Sequence, residues 1–351
     1  MRLFHCAHCA NLVYFENHQC VRCGHVLAFV PELQRMTSLD PARDDTWRSP
    51  DPAAQRRRFR LCQNYVQHHV CNWALDADSP ETLCRACRLT RVIPELGVPG
   101  NQQAWYKLEV AKRRVLQNLT TLGLPWTSKR ENPASGLAFE FLADAPDGSA
   151  PVMTGHAEGV ITLALAEADD AERERRRLQM HEPFRTLVGH FRHELGHYYW
   201  DRLVRDAGRL DAFREKFGDE RADYSAALEA HYQNGAPADW RERFVSAYAS
   251  AHPWEDWAET WAHYLHMVDT LETAEACGVR VTPPDQKKYA GHDAFERMMD
   301  QWFALTHMLN NLTRSLGQND AYPFVLSTTT RQKIRFVHDL VGEAMSNPGA
   351  A

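Results

Sequence analysis

Eight of the nine cysteines fall within the first 87 residues, and their spacing limits what that region can fold into more than any other feature of the chain. Cys6-x-x-Cys9 and Cys20-x-x-Cys23 flank a short span that holds Val13, Tyr14 and Phe15. Two such knuckles on either side of a hairpin-sized segment can bring four thiolates onto one Zn²⁺, as in a zinc ribbon. A redox dithiol is the competing reading, but two pairs this close, with no βαβ context, speak against it. Cys62, Cys71, Cys84 and Cys87 form a looser set, in which only Cys84-Arg-Ala-Cys87 has knuckle spacing. A second Cys₄ zinc site is expected there, with His68 or His69 as a replacement ligand. His5, His8 and His25 lie near the first set, where four thiolates leave them no necessary role. The opening Met-Arg-Leu-Phe-His-Cys has no apolar signal region, so the expected compartment is the cytoplasm, where thiols stay reduced. Cys277 is left over and is expected to be a buried or half-buried free thiol.

Further along, His193-Glu194-Leu195-Gly196-His197 reads H-E-x-x-H. Residues four apart on a helix stand one above the other, so both imidazoles can aim at one Zn²⁺ with Glu194 beside them. Zinc would polarise a carbonyl and activate a water, and Glu194 would take the water's proton as general base. The expected chemistry is peptide hydrolysis. From Glu182 to Val204 the segment reads as a helix, with Phe184, Leu187, Val188, Phe191, Leu195 and Tyr199 forming an apolar stripe roughly opposite the histidines. One face can pack on a core while the other lines a cleft. His190 shares the histidine side of the helix and reads as an ordinary, partly exposed residue.

A catalytic zinc takes three protein ligands and keeps one position open. The extended motif with a third histidine fails here, because Trp200 and Leu203 stand where its glycine and histidine would be. The third ligand must come from elsewhere. Pro253 starts a second helix that runs to about Glu275, with Glu255, Glu259, Ala262, His263 and His266 on one face and Trp257, Trp261, Tyr264 and Val268 broadly on the other. Such a polar face on a Trp-rich helix is costly to bury unless it binds something.

His193-Glu-Leu-Gly-His197 followed by Glu255-Asp-Trp-Ala-Glu259 resembles the paired motifs of lethal-factor-type zinc metalloproteases, a branch of the glutamate-zincins. The resemblance implies that Glu255 binds zinc and that Tyr248, seven residues before it, donates to the oxyanion. A core tyrosine is the plainer reading of Tyr248. Glu259 is expected to hold a zinc-bound histidine from behind. Asp256 and His263 remain as other candidate ligands, and His252 as a helix-entry residue. Over its whole length the chain more closely resembles bacterial zinc-binding metallopeptidases with an N-terminal zinc ribbon. Phe15-Glu16-Asn17, Cys20-Val-Arg-Cys23-Gly24-His25, His193 to Asp201 and His252 to Glu259 all fit that pattern.

The expected organisation is a zinc ribbon over 1–31, a polar linker over 32–60, a second Cys₄ module over 61–100 and a helix-rich, zincin-like α+β metallopeptidase domain over 101–351. Within it, a helix from Gln102 carries Trp105, Leu108, Val115, Leu119 and Leu122 inward. Residues 136–144 and 160–165 are expected as an antiparallel strand pair able to hold an extended substrate, with a turn at Asp147-Gly148. Residues 169–177 read as a solvated charged helix face, and long helices are expected near 290–316 and 330–345. The loop from Gly317 to Pro323 could border the cleft or simply connect helices.

Three zinc ions are therefore expected, one catalytic and two structural. The partner is a peptide or protein, with a peptide, isopeptide or amide bond as target. No segment approaches a membrane-spanning run. Nucleic acid is not an expected partner. The first 90 residues carry 11 arginines against 9 acidic residues, and two thiolate-bound zinc ions would turn that balance to about −2. A zinc-binding adaptor or nucleic-acid module with an idle H-E-x-x-H site is the alternative, and a retained Glu194 argues against it.

Overall fold

Strand pairing begins at the first cysteine knuckle. In a computed structural model of the chain, which describes residues 2–145, 152–179, 186–281 and 291–346, β1 (Phe4–His5) and β2 (Leu12–Val13) form a hairpin around Cys6 and Cys9. The chain divides into two compact units, one of Arg2–Leu116 with Trp126–Asp170, the other of Gln117–Pro125 with the residues from Ala171 onward. The first is rich in strands and the second is helical. The fold is α+β and helix-rich, as expected.

In the strand-rich unit, β3 (Val26–Val30), β4 (Arg35–Pro41), β5 (Trp47–Arg48), β6 (Arg58–Leu61) and β7 (Ala74–Asp76) form an antiparallel meander. A bridge between Phe29 and Trp73 brings its two ends together. The interior is Ala28, Val30, Leu39, Ala54, Phe59 and Ala74, and Phe59 faces inward while Arg58 and Arg60 on either side do not, as strand alternation demands. The expected linker over 32–60 is therefore corrected: it supplies β4, β5 and most of β6. Its prolines misled because Pro31 and Pro52 start short 3₁₀ turns and Pro41 ends a strand. The buried run in β4 also includes Thr37 and Ser38, polar residues that hide its burial from hydropathy.

α1 (Gln63–Val66) is a single turn. α2 (Asn101–Thr121) buries Trp105, Leu108, Val115 and Leu119, as expected, while Leu122 beyond its end is half-buried. On the same helix Glu109 is buried between Lys112 at 2.7 Å and Arg113 at 3.2 Å, and accepts from the Thr90 hydroxyl at 2.8 Å. β8 (Thr90–Val92), β9 (Ala138–Leu142), β10 (Gly155–Ala157) and β11 (Val160–Ala164) form a second sheet in the order β10-β11-β9-β8. The strands expected as an antiparallel pair, β9 and β11, are parallel, with Val160 opposite Ala138. The antiparallel partner of β11 is β10, joined through Glu158 and Gly159 at φ +48° and +79°. This short hairpin turns the chain round before β11, so β11 runs alongside β9 in the same direction. The Asp147-Gly148 turn lies outside the described residues.

α3 (Asp170–Gln179), from Ala171 on, belongs to the helical unit. There α4 (Leu187–Trp200) continues as a π turn over Asp201–Arg205, followed by α5 (Leu210–Phe217), α6 (Tyr224–Asn234), α7 (Trp240–Arg243), α8 (Pro253–Ala276), α9 (Ala294–Ser315) and α10 (Thr328–Ser346). α4 packs on α8 through Leu195, Tyr199, Trp257 and Trp261, with the Tyr199 and Trp261 rings stacked at 4.9 Å. The Trp257 indole donates to the Gly196 carbonyl at 2.8 Å. Cys277 is exposed and not buried as expected, because it caps the surface end of α8. Among the described residues no helix is long and apolar enough to cross a membrane.

Candidate metal centre

Two capped helix starts set the geometry. The Thr186 side chain accepts from Gly189 N at 2.9 Å and starts α4, which then presents His193 and His197 one turn apart. His252 caps α8: its Nδ1 accepts from Trp254 N at 3.1 Å, and its Nε2 donates to the Ala222 carbonyl at 3.1 Å. Pro253 takes the first turn of α8 and Glu255 follows it, so the carboxylate sits in that first turn.

At the crossing, one Glu255 oxygen lies 3.0 Å from His193 Nε2 and the other 3.5 Å from His197 Nε2. The three side chains place their ligand atoms within 4.8 Å of one another. Nδ1 of His193 donates to Glu259 at 2.8 Å, and the second Glu259 oxygen accepts from the Ser246 hydroxyl at 2.7 Å. Tyr224 donates to Glu255 at 2.7 Å, and the His197 ring rests on Trp254 at 4.1 Å. Tyr248, in a 3₁₀ turn, is half-buried with its ring 6.0 Å from that of His193.

Burial works against the charged form of each group in this cluster, yet the carboxylates of Glu255 and Glu259 hold the His193 pKa well above its ordinary value. Burial likewise opposes ionisation of Glu255, and the neighbouring His197 and His193 nevertheless depress its pKa. Burial first, then the charge of Glu255, raises the hydroxyl pKa of Tyr224 and of Tyr248, so both remain proton donors. The charge of Glu194, itself buried, adds to the rise in both hydroxyl pKa values. Two imidazoles and a nearly inaccessible carboxylate at these separations suit a divalent cation, whose charge compensates their burial.

The other candidates are engaged elsewhere. Asp256 pairs with buried Lys333 at 2.6 Å, His263 shares a hydrogen bond with the Tyr322 hydroxyl at 2.9 Å, and Arg192 donates to His266 at 3.2 Å. Tyr322 thereby anchors the 317–323 loop to α8. Sequence reasoning missed Tyr224 and Ser246, since neither stands at a motif spacing from the residues it contacts.

Both cysteine sets converge. Cys6 and Cys23 sulfurs are 3.6 Å apart, as are those of Cys9 and Cys20, and Cys71 and Cys84 are 3.7 Å apart. A tetrahedral zinc with bonds of about 2.3 Å has edges of about 3.8 Å, so the thiolate positions fit. Cys62, Cys71, Cys84 and Cys87 are all buried, and the backbone N–H groups of Trp73, Cys84 and Cys87 donate to sulfurs of the set at 3.3, 3.3 and 3.4 Å. The buried Arg113 guanidinium, whose charge burial disfavours, is held in its charged form by Cys71, then Glu109 and the other thiolates. None of the nearby histidines belongs to either set.

Residues 101–340 match the family described as "Putative zinc-binding metallo-peptidase", and residues 3–98 match a zinc-ribbon domain. Uncharacterised proteins of Mycobacterium tuberculosis and Mycobacterium bovis are each 43% identical over 345 residues, covering 98% of this chain and 96% of their own length. No solved structure matches the chain. With three-residue and four-thiolate metal clusters in the regions these families cover, the chain belongs to the zinc-binding metallopeptidase family so described and carries a zinc-ribbon domain ahead of it.

Proposed function

We propose that the protein is a zinc-dependent metallopeptidase of glutamate-zincin type, hydrolysing a peptide, isopeptide or other amide bond in a peptide or protein substrate. The observation that carries this reading is the meeting of His193, His197 and Glu255 from two different helices, with Glu194 next to His193 on α4. Zinc held by those three would supply a Lewis acid that polarises the scissile carbonyl and acidifies water. The Glu194 carboxylate accepts the proton of the attacking water and returns it to the departing nitrogen. The Tyr248 hydroxyl keeps its proton and makes no hydrogen bond among the described residues, so it is available to the developing oxyanion. Glu259, backed by Ser246, holds the His193 ring so that Nε2 is the nitrogen offered to the metal. The cysteine sets support two structural zinc ions, and a reducing cytoplasm suits thiolates used in this way.

Ligand and base are separable by substitution. Glu194→Gln is expected to retain the helix-site zinc while losing hydrolysis by about 10²-fold or more. Glu255→Ala is expected to lose the zinc itself, measured as metal content after dialysis. Retention of zinc by Glu255→Ala and its loss from Glu259→Ala would move the third ligand by one helical turn. An active Glu194→Gln protein would remove the general base from the mechanism.

A further inference from the structure

α6 buries none of its residues, yet it reaches the most enclosed carboxylate of the metal centre. Gly218 and Gly235, both at positive φ, bracket the segment, and Asp223 caps the helix by accepting from Ala226 N at 3.0 Å. Tyr224, the first helical residue, is 37% exposed, whereas Glu255, to which its hydroxyl donates at 2.7 Å, is 1% exposed. Its ring stands edge-on to His252 at 5.2 Å and to Trp254 at 5.9 Å, so the aromatic body is set by the residues that start α8. His252 returns the contact by donating to the Ala222 carbonyl at 3.1 Å.

A glutamate carboxylate turns freely about its last torsion, which has broad wells. Oε1 of Glu255 accepts from Tyr224, while Oε2 lies 3.0 Å from His193 Nε2. Restraining one oxygen orients the other. We propose that Tyr224 is a positioning residue of the metal centre, its hydroxyl fixing the Glu255 carboxylate plane so that Oε2 faces His193 and Oε1 stays toward His197. The inference rests on the reading of His193, His197 and Glu255 as the ligand set.

The test is zinc competition on the full-length protein against a chromogenic chelator, a readout that does not depend on peptidase activity. The ion that wild type retains and Glu255→Ala lacks defines the helix site. Tyr224→Phe, which removes only the hydroxyl, is expected to weaken that site by about 10- to 100-fold. Asp223→Ala, which strips the α6 cap without touching Glu255, is expected to keep wild-type zinc affinity. Wild-type affinity in Tyr224→Phe, with zinc lost from Glu255→Ala, overturns the role of Tyr224 alone. Equal weakening by Asp223→Ala also overturns it, since the hydroxyl would then have no part of its own. Identical zinc content in wild type and Glu255→Ala overturns the ligand set and this inference together.

Discussion

Gly196 lies inside the H-E-x-x-H motif, at a position whose identity the metal chemistry leaves open, yet packing leaves no room for a side chain there. A Cβ would stand 3.0 Å from the Ala258 Cα and 3.2 Å from the Trp261 ring, on the helix that brings Glu255 and Glu259 to the histidines. The close neighbour is backbone, so it can yield only if α4 and α8 separate. Overpacking costs about 1–3 kcal/mol, against a gain of about 1 kcal/mol from alanine's helix propensity. Gly196→Ala is therefore expected to be less stable to urea and to hold the helix-site zinc more weakly. A variant as stable and as well metallated as wild type would show that the approach of the two helices has slack.

At the scale of the element, α8 divides its polar residues between two tasks. Glu255 and Glu259 turn toward the histidines of α4, while buried His263 and half-buried His266 pack among Tyr322, Trp302 and Arg192. Burial holds the His263 pKa down to about 4, against 6.5 in the unfolded chain. Between those values the unfolded chain binds the proton and the folded chain does not. The stability that His263 contributes is therefore complete above about pH 6.5 and is lost as pH falls toward 4. The loss for such a shift is on the order of 3 kcal/mol, and His266, also lowered by burial, acts in the same direction. Urea unfolding at pH 7.5 and 4.5 checks this. His263→Gln should show a smaller difference between the two pH values than wild type, and an unchanged difference would assign the acid sensitivity to other groups.

For the whole molecule, the family matches divide the chain between residues 98 and 101, but β8 lies before that division and pairs with β9 beyond it. Thr90 likewise serves Glu109, which is buried with Lys112 and Arg113 on α2. Removing residues 1–100 would leave β9 with an open edge and the buried charges of α2 short of a partner. A 101–351 fragment is expected to be insoluble or inactive toward a short peptide. A soluble, fully active fragment would show that residues 1–100 are dispensable for folding. The intact chain is expected to hold three zinc ions by metal analysis. One ion per chain, with most cysteines titrating as free thiols, would remove both structural sites.

Local spacing made much of this chain legible. A turn of helix places His193 and His197 on one face whatever surrounds them, and a C-x-x-C knuckle aims two sulfurs at one point. The apolar periods around Trp105 and Trp257 likewise announce α2 and α8, because a face that repeats with the helix has to be covered. Contacts set by distant packing left no such trace. Tyr224 reaches Glu255 across 31 positions, and Ser246 reaches Glu259 from a turn outside the helix. The parallel run of β9 beside β11 depends on a small hairpin that alternation does not reveal, and β4 hides behind buried Thr37 and Ser38. By itself the sequence determined which residues share a face and what chemistry they could do together. Only the tertiary structure decided which carboxylate meets the histidines and what holds it there, because those choices depend on how closely α8 can approach α4 at Gly196.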